Sequence, residues 1–185
     1  MYFFKPAHEA ALSKVQQSKL YLADRLIEDI DKAFSDKSKN NLRSIKSAIV
    51  DIVVLEKILN RIGFSCSLEG DLKEIRNSLA HIDERMDKFT FKPIKLEGFK
   101  VSAEEANGKF KKSVSINFQG AVDQAGIALP ISNDGPSSVN AVSLFGMVDD
   151  RFLWVDKSGS QRVTKVETIN NCYKQMLNML GKKNV

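Results

Sequence analysis

The residues of this 185-residue chain best suited to chemistry are an arginine, an amide and a histidine in the string RNSLAH. They are Arg76, Asn77 and His81. An imidazole titrates near neutral pH and can exchange protons, while a guanidinium can hold a phosphate through two hydrogen bonds. Asn77 stands four residues before His81, so in a helix the two side chains would project from one strip of surface. The group could therefore bind an anion and move a proton.

A helix over residues 71–89 is the element predicted to position this group. Its apolar residues are spaced three and four apart, which draws one stripe along an α-helix. They are Leu72, Ile75, Leu79, Ile82, Met86 and Phe89. Arg76, Asn77 and His81 lie off this stripe, so the helix would turn them away from its own core.

Three further helices are predicted around it. The first spans residues 7–34, and its apolar stripe consists of Leu12, Val15, Leu22, Leu26, Ile30 and Ala33. The second spans residues 42–62 and is followed by Gly63. Its apolar stripe consists of Ile45, Ile49, Ile52, Leu55, Leu59 and Ile62. A last helix follows a T-x-x-E capping box formed by Thr164 and Glu167. Three stripes are too few to close a large core, so this last helix is expected to complete an antiparallel bundle.

The segment between the third helix and the last one has a different pattern. Val114, Ile116 and Phe118 alternate with polar residues, the period of a half-buried strand, and residues 141–148 and 152–155 resemble a β-hairpin. The sequence thus predicts a mainly α protein, α+β overall. Its helical bundle would span residues 1–91. A small antiparallel β-region would span residues 92–163, and residues 164–185 would form a C-terminal helix that packs on the bundle.

Composition restricts the class of protein further. The chain is 43% hydrophobic and 28% charged, and it has neither an apolar run long enough to span a bilayer nor a recognisable secretory signal. Cys66 and Cys172 are solitary, which speaks against a zinc site and a disulfide framework. We expect a soluble, cytoplasmic protein with no metal, no cofactor and no membrane partner. The net charge of +5 permits a polyanionic partner, although a solvated basic surface explains it equally well.

The spacing of Arg76, Asn77 and His81 resembles the R-x4-6-H signature of HEPN domains, the higher eukaryote and prokaryote nucleotide-binding family. An asparagine directly after the arginine is the commonest form of that signature. The context is similar as well, because the motif lies in a late helix of a helical bundle. The resemblance covers the first half of the chain and its last helix, whereas the β-region is outside the family's common pattern.

The resemblance implies metal-independent cleavage of RNA. His81 would exchange protons with the ribose 2′-hydroxyl and the leaving 5′-oxygen, Arg76 would hold the scissile phosphate, and Asn77 would orient either partner. Members of the family dimerise so that two motif helices face each other, which implies a homodimer with a composite cleft. The same resemblance implies a toxin or defence component, for which an antitoxin protein would be the natural partner.

Two other classes of function remain open from the sequence. The bundle could bind a nucleotide or RNA without catalysing a reaction, as some relatives in the HEPN family do. Alternatively, the helices could form a protein-interaction scaffold in which Arg76 and His81 are incidental. In that case His81 would merely pair with Glu84 on a solvated helix face.

Overall fold

The computed structural model describes residues 13–35, 42–90, 92, 94–99, 101–106, 109–114, 118–120, 137–141 and 144–182. This described part contains five helices: α1 Lys14–Ser35, α2 Leu42–Arg61, α3 Leu72–Ala80, α4 Ile82–Lys88 and α5 Val166–Lys182. A β-region lies between α4 and α5. The predicted fold class, a mainly helical bundle with a small antiparallel β-region before the last helix, is confirmed.

Helix α2 is the centre of the bundle and contacts α1, α3 and α5. Its predicted apolar stripe is confirmed, since all six of its members are buried: Ile45, Ile49, Ile52, Leu55, Leu59 and Ile62. The helix ends as expected, because Gly63 has a φ of 96°, a left-handed conformation that glycine adopts without a steric penalty.

Helix α1 begins later than predicted. Ser13 and Gln16 form a reciprocal capping pair, in which the Gln16 side chain accepts from the Ser13 N–H at 3.0 Å and Ser13 Oγ accepts from the Gln16 N–H at 3.4 Å. Residues 7–12 of the predicted helix lie outside the described residues. The predicted apolar stripe is wrong at Val15 and Leu22, which are both exposed. Packing selects a different face with the same spacing, composed of Leu20, Ala23, Ile27 and Ile30.

A buried carboxylate ties the connection between α2 and α3 to the core. Oε1 of Glu56 accepts from the Leu68 N–H at 2.8 Å and lies 2.9 Å from Nζ of Lys73. Glu56 is almost fully buried, and these contacts satisfy its charge. The loop after α2 is therefore anchored before the chain enters α3.

Helix α5 packs on the bundle, as predicted. Tyr173 is fully buried, its hydroxyl donates to Oδ1 of Asp31 at 3.1 Å, and its ring stacks on Phe34. Burial, with the nearby Asp31 charge, raises the pKa of Tyr173 and keeps the phenol protonated as a donor.

The predicted capping box before α5 is wrong. Thr164 belongs to a strand, where its Oγ1 accepts from Nε1 of Trp154 at 3.0 Å. Trp154 is buried, and its only polar atom needs this acceptor. Helix α5 begins at Val166 instead.

The β-region has eight strands in the described part of the chain: β1 Ile94–Phe99, β2 Val101–Ala106, β3 Lys109–Val114, β4 Phe118–Gly120, β5 Ser137–Ala141, β6 Gly146–Val148, β7 Arg151–Val155 and β8 Gln161–Lys165. Strands β4, β6, β7 and β8 form a four-stranded sheet in that order, while β1 pairs with β5 and β2 with β3. The predicted hairpin is confirmed in its second part, since β6 and β7 are antiparallel. The predicted first strand over residues 141–148 is too long, because β6 begins at Gly146 and Ala141 belongs to β5. The strand expected over residues 113–118 falls instead on the ends of β3 and β4, with residues 115–117 outside the described part.

Asp156 organises the turn between β7 and β8. Its Oδ1 accepts from the Ser158 and Ser160 backbone N–H groups at 2.8 and 3.1 Å, and Arg162 Nε donates to its Oδ2 at 2.8 Å. Burial raises the pKa of this carboxyl, but the hydrogen bonds outweigh burial and lower the pKa to about 2.

The chain divides into two compact units. The first unit comprises Met1–Ala80 and Lys165–Val185, and the second unit comprises His81–Thr164. The division falls directly before His81, whereas the sequence predicts a boundary after residue 91. Within the described residues, no helix combines the length and apolar character needed to cross a membrane.

Candidate functional site

The helix that carries the R-x4-H motif is interrupted at its histidine. The sequence predicts one continuous helix over residues 71–89, and this prediction is wrong. Helix α3 ends at Ala80, His81 leaves the helical conformation with φ −122° and ψ 47°, and α4 begins at Ile82. Arg76 and Asn77 thus belong to the first unit, and His81 belongs to the second.

The chain at the end of α4 contacts the β-region. Phe89 is buried in a cluster with Val155 and Leu144, and the Thr90 N–H donates to the Gly159 carbonyl at 3.4 Å. A Cβ on Gly159 would collide with the carbonyl oxygen of Lys88, so the two backbones pass in close contact. The segment after α4 is therefore held by the β-region.

The apolar residues of the predicted helix are divided between the two units and differ in burial. Leu72 and Ile75 are buried within the first unit, whereas Met86 on α4 is 53% exposed. Asp83 and Glu84 lie in the first turn of α4, where acidic residues are favoured. That pair of acids is the one local signal in the sequence that a second helix begins after His81.

Arg76 and Asn77 are in direct contact on α3. Nη1 of Arg76 donates to Oδ1 of Asn77 at 3.3 Å, with Arg76 half-buried and Asn77 exposed. The sequence assigned Asn77 the role of orienting the imidazole or the phosphate. In the structure its side-chain oxygen accepts a hydrogen bond from the guanidinium of the preceding residue.

A cavity of about 370 Å³ opens beside Arg76 between α2 and α3. Its described lining residues are Lys46, Ser47, Val50, Arg76, Leu79 and Ala80. Two of them are cations and none is acidic, so the charge of this lining favours an anion. Lys46 lies on a different helix, which is why sequence spacing did not connect it with Arg76.

A second cavity of about 470 Å³ lies between α1 and α2 and has the opposite character. Asp29 and Asp51 both line it, together with Lys32. Burial raises the pKa of Asp51, and the nearby Asp29 charge raises it further, although a hydrogen bond from Ser47 opposes the shift. Ser47 lines both cavities and marks the border between the basic lining and the acidic one.

His81 is paired with a carboxylate of its own unit. Its Nδ1 lies 3.3 Å from Oε1 of Glu84, and both side chains are more than half exposed. A carboxylate at Nδ1 favours the tautomer that carries its proton there, which leaves Nε2 as the nitrogen that accepts protons. The contact also matches the alternative in which His81 simply pairs on a solvated helix face.

Arg85, one turn after His81, is a residue that sequence reasoning did not assign. Its backbone N–H donates to the His81 carbonyl at 3.1 Å, and its Nε is buried with no partner among the residues that the structure describes. The spacing of four residues from His81 is visible in the sequence, but the burial of Nε is not.

We compared the described part of the chain with the side-chain arrangements that metal and thiol chemistry need. No group of three or more His, Cys, Asp or Glu side chains there is placed to hold a metal ion. Burial raises the pKa of the Cys172 thiol, and the charges of Glu69 and Asp71 raise it further, so the reactive thiolate is disfavoured. Cys66 is buried, and its Sγ lies 3.8 Å from the Glu56 carbonyl oxygen.

A scan against protein-family models finds no match for this chain, and searches of curated proteins and of solved structures find none either.

Proposed function

We propose that this protein is a metal-independent endoribonuclease of HEPN type. The observation that carries the proposal is the exposed His81–Glu84 pair, which directs the proton-accepting nitrogen of the imidazole away from the carboxylate. Such a pair is a means of presenting a general base to a hydroxyl group. The arginine of the R-x4-H motif, Arg76, is suited to binding a phosphate group.

The reaction follows from these residue types. Nε2 of His81 takes the proton of a ribose 2′-hydroxyl, and the 2′-oxygen attacks the adjacent phosphorus. The bond from phosphorus to the 5′-oxygen breaks, and that oxygen receives a proton from an acid. The products are a 2′,3′-cyclic phosphate and a 5′-hydroxyl, so no water or external oxidant is consumed.

Arg76 is proposed to stabilise the charge that develops on the phosphate oxygens. Asn77 supports this role through its 3.3 Å hydrogen bond to the guanidinium, because a restrained arginine loses less side-chain entropy when it binds. Arg76→Lys should therefore fail to replace it, since a point charge lacks the planar fork of donors.

One histidine does not readily act as both base and acid in a single turnover. We therefore propose a homodimer in which His81 of each protomer contributes to a composite cleft, one as base and the other as acid. The substrate is RNA, and the proposed setting is a cytoplasmic toxin or defence system with an antitoxin protein as partner.

The experiment that tests this function is the cleavage of single-stranded RNA in excess EDTA by full-length protein. Wild type is expected to cleave, and His81→Ala and Arg76→Ala are expected to lose at least about a hundredfold in rate. The controls are His8→Ala, which removes the other histidine, and Arg61→Ala, which removes an exposed arginine. Equal activity of His81→Ala and His8→Ala would refute the role of His81.

A second function, binding of a nucleotide or RNA without cleavage, is favoured by a different observation. The cavity beside Arg76 has Lys46 as a second cation, and all its described lining residues belong to the first unit. An RNA-binding protein that leaves RNA intact in EDTA and in magnesium, and loses affinity in Arg76→Ala, would establish this function in place of catalysis.

A further inference from the structure

The cavity between α2 and α3 is lined by one face of each helix. Lys46 and Val50 are four residues apart on α2, and Arg76 and Ala80 are four residues apart on α3, so each pair lies along one strip of its helix. The cavity has a volume of about 370 Å³. Ligand cavities of proteins usually measure about 300–1,000 Å³, so this one has room for a small ligand or for one unit of a polymer.

The acids of α2 and α3 are all outside the described lining of this cavity. Asp51 lines the other cavity, between α1 and α2. Glu56 is buried and forms an ion pair with Lys73. Glu74 stands two residues before Arg76, and residues two apart on a helix do not face each other. The described lining therefore contains two cations and no acid, which favours an anionic ligand.

The two cations, Lys46 and Arg76, are both half-buried. Partial burial removes water from their charged groups, and like charges that line one cavity repel, so an anion between them is favoured. An arginine has five N–H donors, of which the contact with Asn77 uses one. An oxyanion with several oxygens, such as a phosphate group, can accept hydrogen bonds from both side chains.

The cavity also has an apolar part. Val50 is 37% exposed and Leu79 is half-buried, and both side chains line the cavity. A ligand that fits the whole lining is therefore anionic at one end and apolar at the other. A nucleotide has this composition, because its phosphate is an anion and its base has a π-face that packs on apolar side chains. Inorganic phosphate would contact the cations but leave the apolar part uncovered.

We propose that this cavity binds one nucleotide of the RNA substrate, with its phosphate between Lys46 and Arg76 and its base on the apolar part of the lining. The inference rests on the proposed ribonuclease function for the identity of the ligand. It adds Lys46 as a second cation at the phosphate that Arg76 contacts, and it gives the first unit a contact to the base, which the R-x4-H motif does not supply.

The first test measures RNA binding separately from cleavage. The probe is a fluorescein-labelled single-stranded RNA in which every 2′-hydroxyl is O-methylated, so the nucleophile is blocked. Lys46→Gln is expected to weaken binding about tenfold and to reduce the slope of log K against log salt by about 0.7, whereas Lys46→Arg is expected to retain the wild-type affinity. Lys14→Gln, the same charge change at an exposed lysine of α1, is expected to change neither quantity. Equal losses in Lys46→Gln and Lys14→Gln would overturn the proposal.

The second test asks whether a base occupies the cavity. The methyl resonances of Val50 and Leu79, assigned by their loss in Val50→Ala and Leu79→Ala, are followed in a ¹³C–¹H spectrum of wild type while the methylated RNA is added. An aromatic base shifts the resonances of methyl groups that it contacts, so saturable shifts of both residues support the site. Val163, an exposed valine of β8, is the reference. Binding of the RNA with shifts at Val50 and Leu79 no larger than those at Val163 would overturn the proposal.

Cleavage of ordinary RNA separates this inference from the function on which it rests. Cleavage by wild type and Lys46→Gln with the same kcat and KM would support the ribonuclease and exclude the cavity from its substrate site. Binding that depends on Lys46, in a protein that cleaves no RNA, would support the cavity and refute catalysis.

Discussion

Nδ1 of His81 lies 3.3 Å from Oε1 of Glu84, which is three residues further along the chain in α4. The contact favours the tautomer with its proton on Nδ1, and in the ribonuclease that we propose Glu84 would be a positioning residue. Because both side chains are largely exposed, the pair contributes at most about 1 kcal/mol.

Glu84→Gln is therefore expected to lower the kcat of RNA cleavage about two- to fivefold and to leave KM unchanged. The reason is that glutamine keeps an acceptor for Nδ1 but removes the carboxylate charge. Steady-state kinetics in EDTA measures this effect. Asp87→Asn is the control, since it removes an exposed acid of the same helix. An identical decrease in both variants would show that only net charge matters.

Phe89→Ala should destabilise the second unit by about 3 kcal/mol, because the buried ring packs against Val155 and its removal leaves a cavity. Met86→Ala is the matched control, since Met86 belongs to the same predicted stripe but is exposed. Met86→Ala should lower the free energy of unfolding by no more than about 0.5 kcal/mol. Urea denaturation gives both values, and comparable costs would contradict the observed end of α4.

Gly159→Ala tests the close approach between the β7–β8 turn and the end of α4. The added Cβ would collide with the Lys88 carbonyl oxygen, at a residue whose φ is already 84°. Gly63→Ala is the control, because its φ of 96° imposes similar backbone strain with open space around the Cβ. We expect the Gly63 change to cost about 1 kcal/mol and the Gly159 change at least about 1 kcal/mol more. Thermal denaturation measures both effects, and equal decreases in melting temperature for Gly159→Ala and Gly63→Ala would argue against the close approach.

Acid should weaken the turn that Asp156 organises. Its pKa is lowered to about 2 in the folded protein, below the ordinary value of about 4, so its charged form stabilises the fold at higher pH. That contribution is present above about pH 4 and is lost as pH falls to about 2. Wild type should thus unfold at higher temperature than Asp156→Asn at pH 7, with the gap closing near pH 2. A gap independent of pH would contradict this account, and Asp150→Asn, in an exposed turn, is the control.

The sequence predicted α2 correctly because its stripe is unambiguous and its glycine stop is local. It failed at α1 because Val15 and Leu22 satisfy helical spacing as well as Leu20 and Ile27 do, and only packing on α2 distinguishes the two faces. It failed at Thr164 because the last strand includes this residue and α5 begins only at Val166, two residues further on.

The candidate site was predictable in its residues but not in its geometry. The spacing of Arg76 and His81 can be read directly, whereas the interruption of the helix at His81 has no counterpart in the apolar periodicity. Lys46 has no motif of its own. Its relevance comes from the cavity that it lines together with Arg76, which is a property of the folded chain alone.

The most direct measurement of the central claim is the chemical identity of the RNA ends produced by wild type in EDTA. Proton removal from the 2′-hydroxyl by His81 predicts 2′,3′-cyclic phosphate and 5′-hydroxyl ends, both absent from the His81→Ala reaction and from RNA methylated at the 2′-oxygen. Ends that carry a 3′-hydroxyl and a 5′-phosphate, or cyclic ends formed at the same rate by His81→Ala, would contradict it.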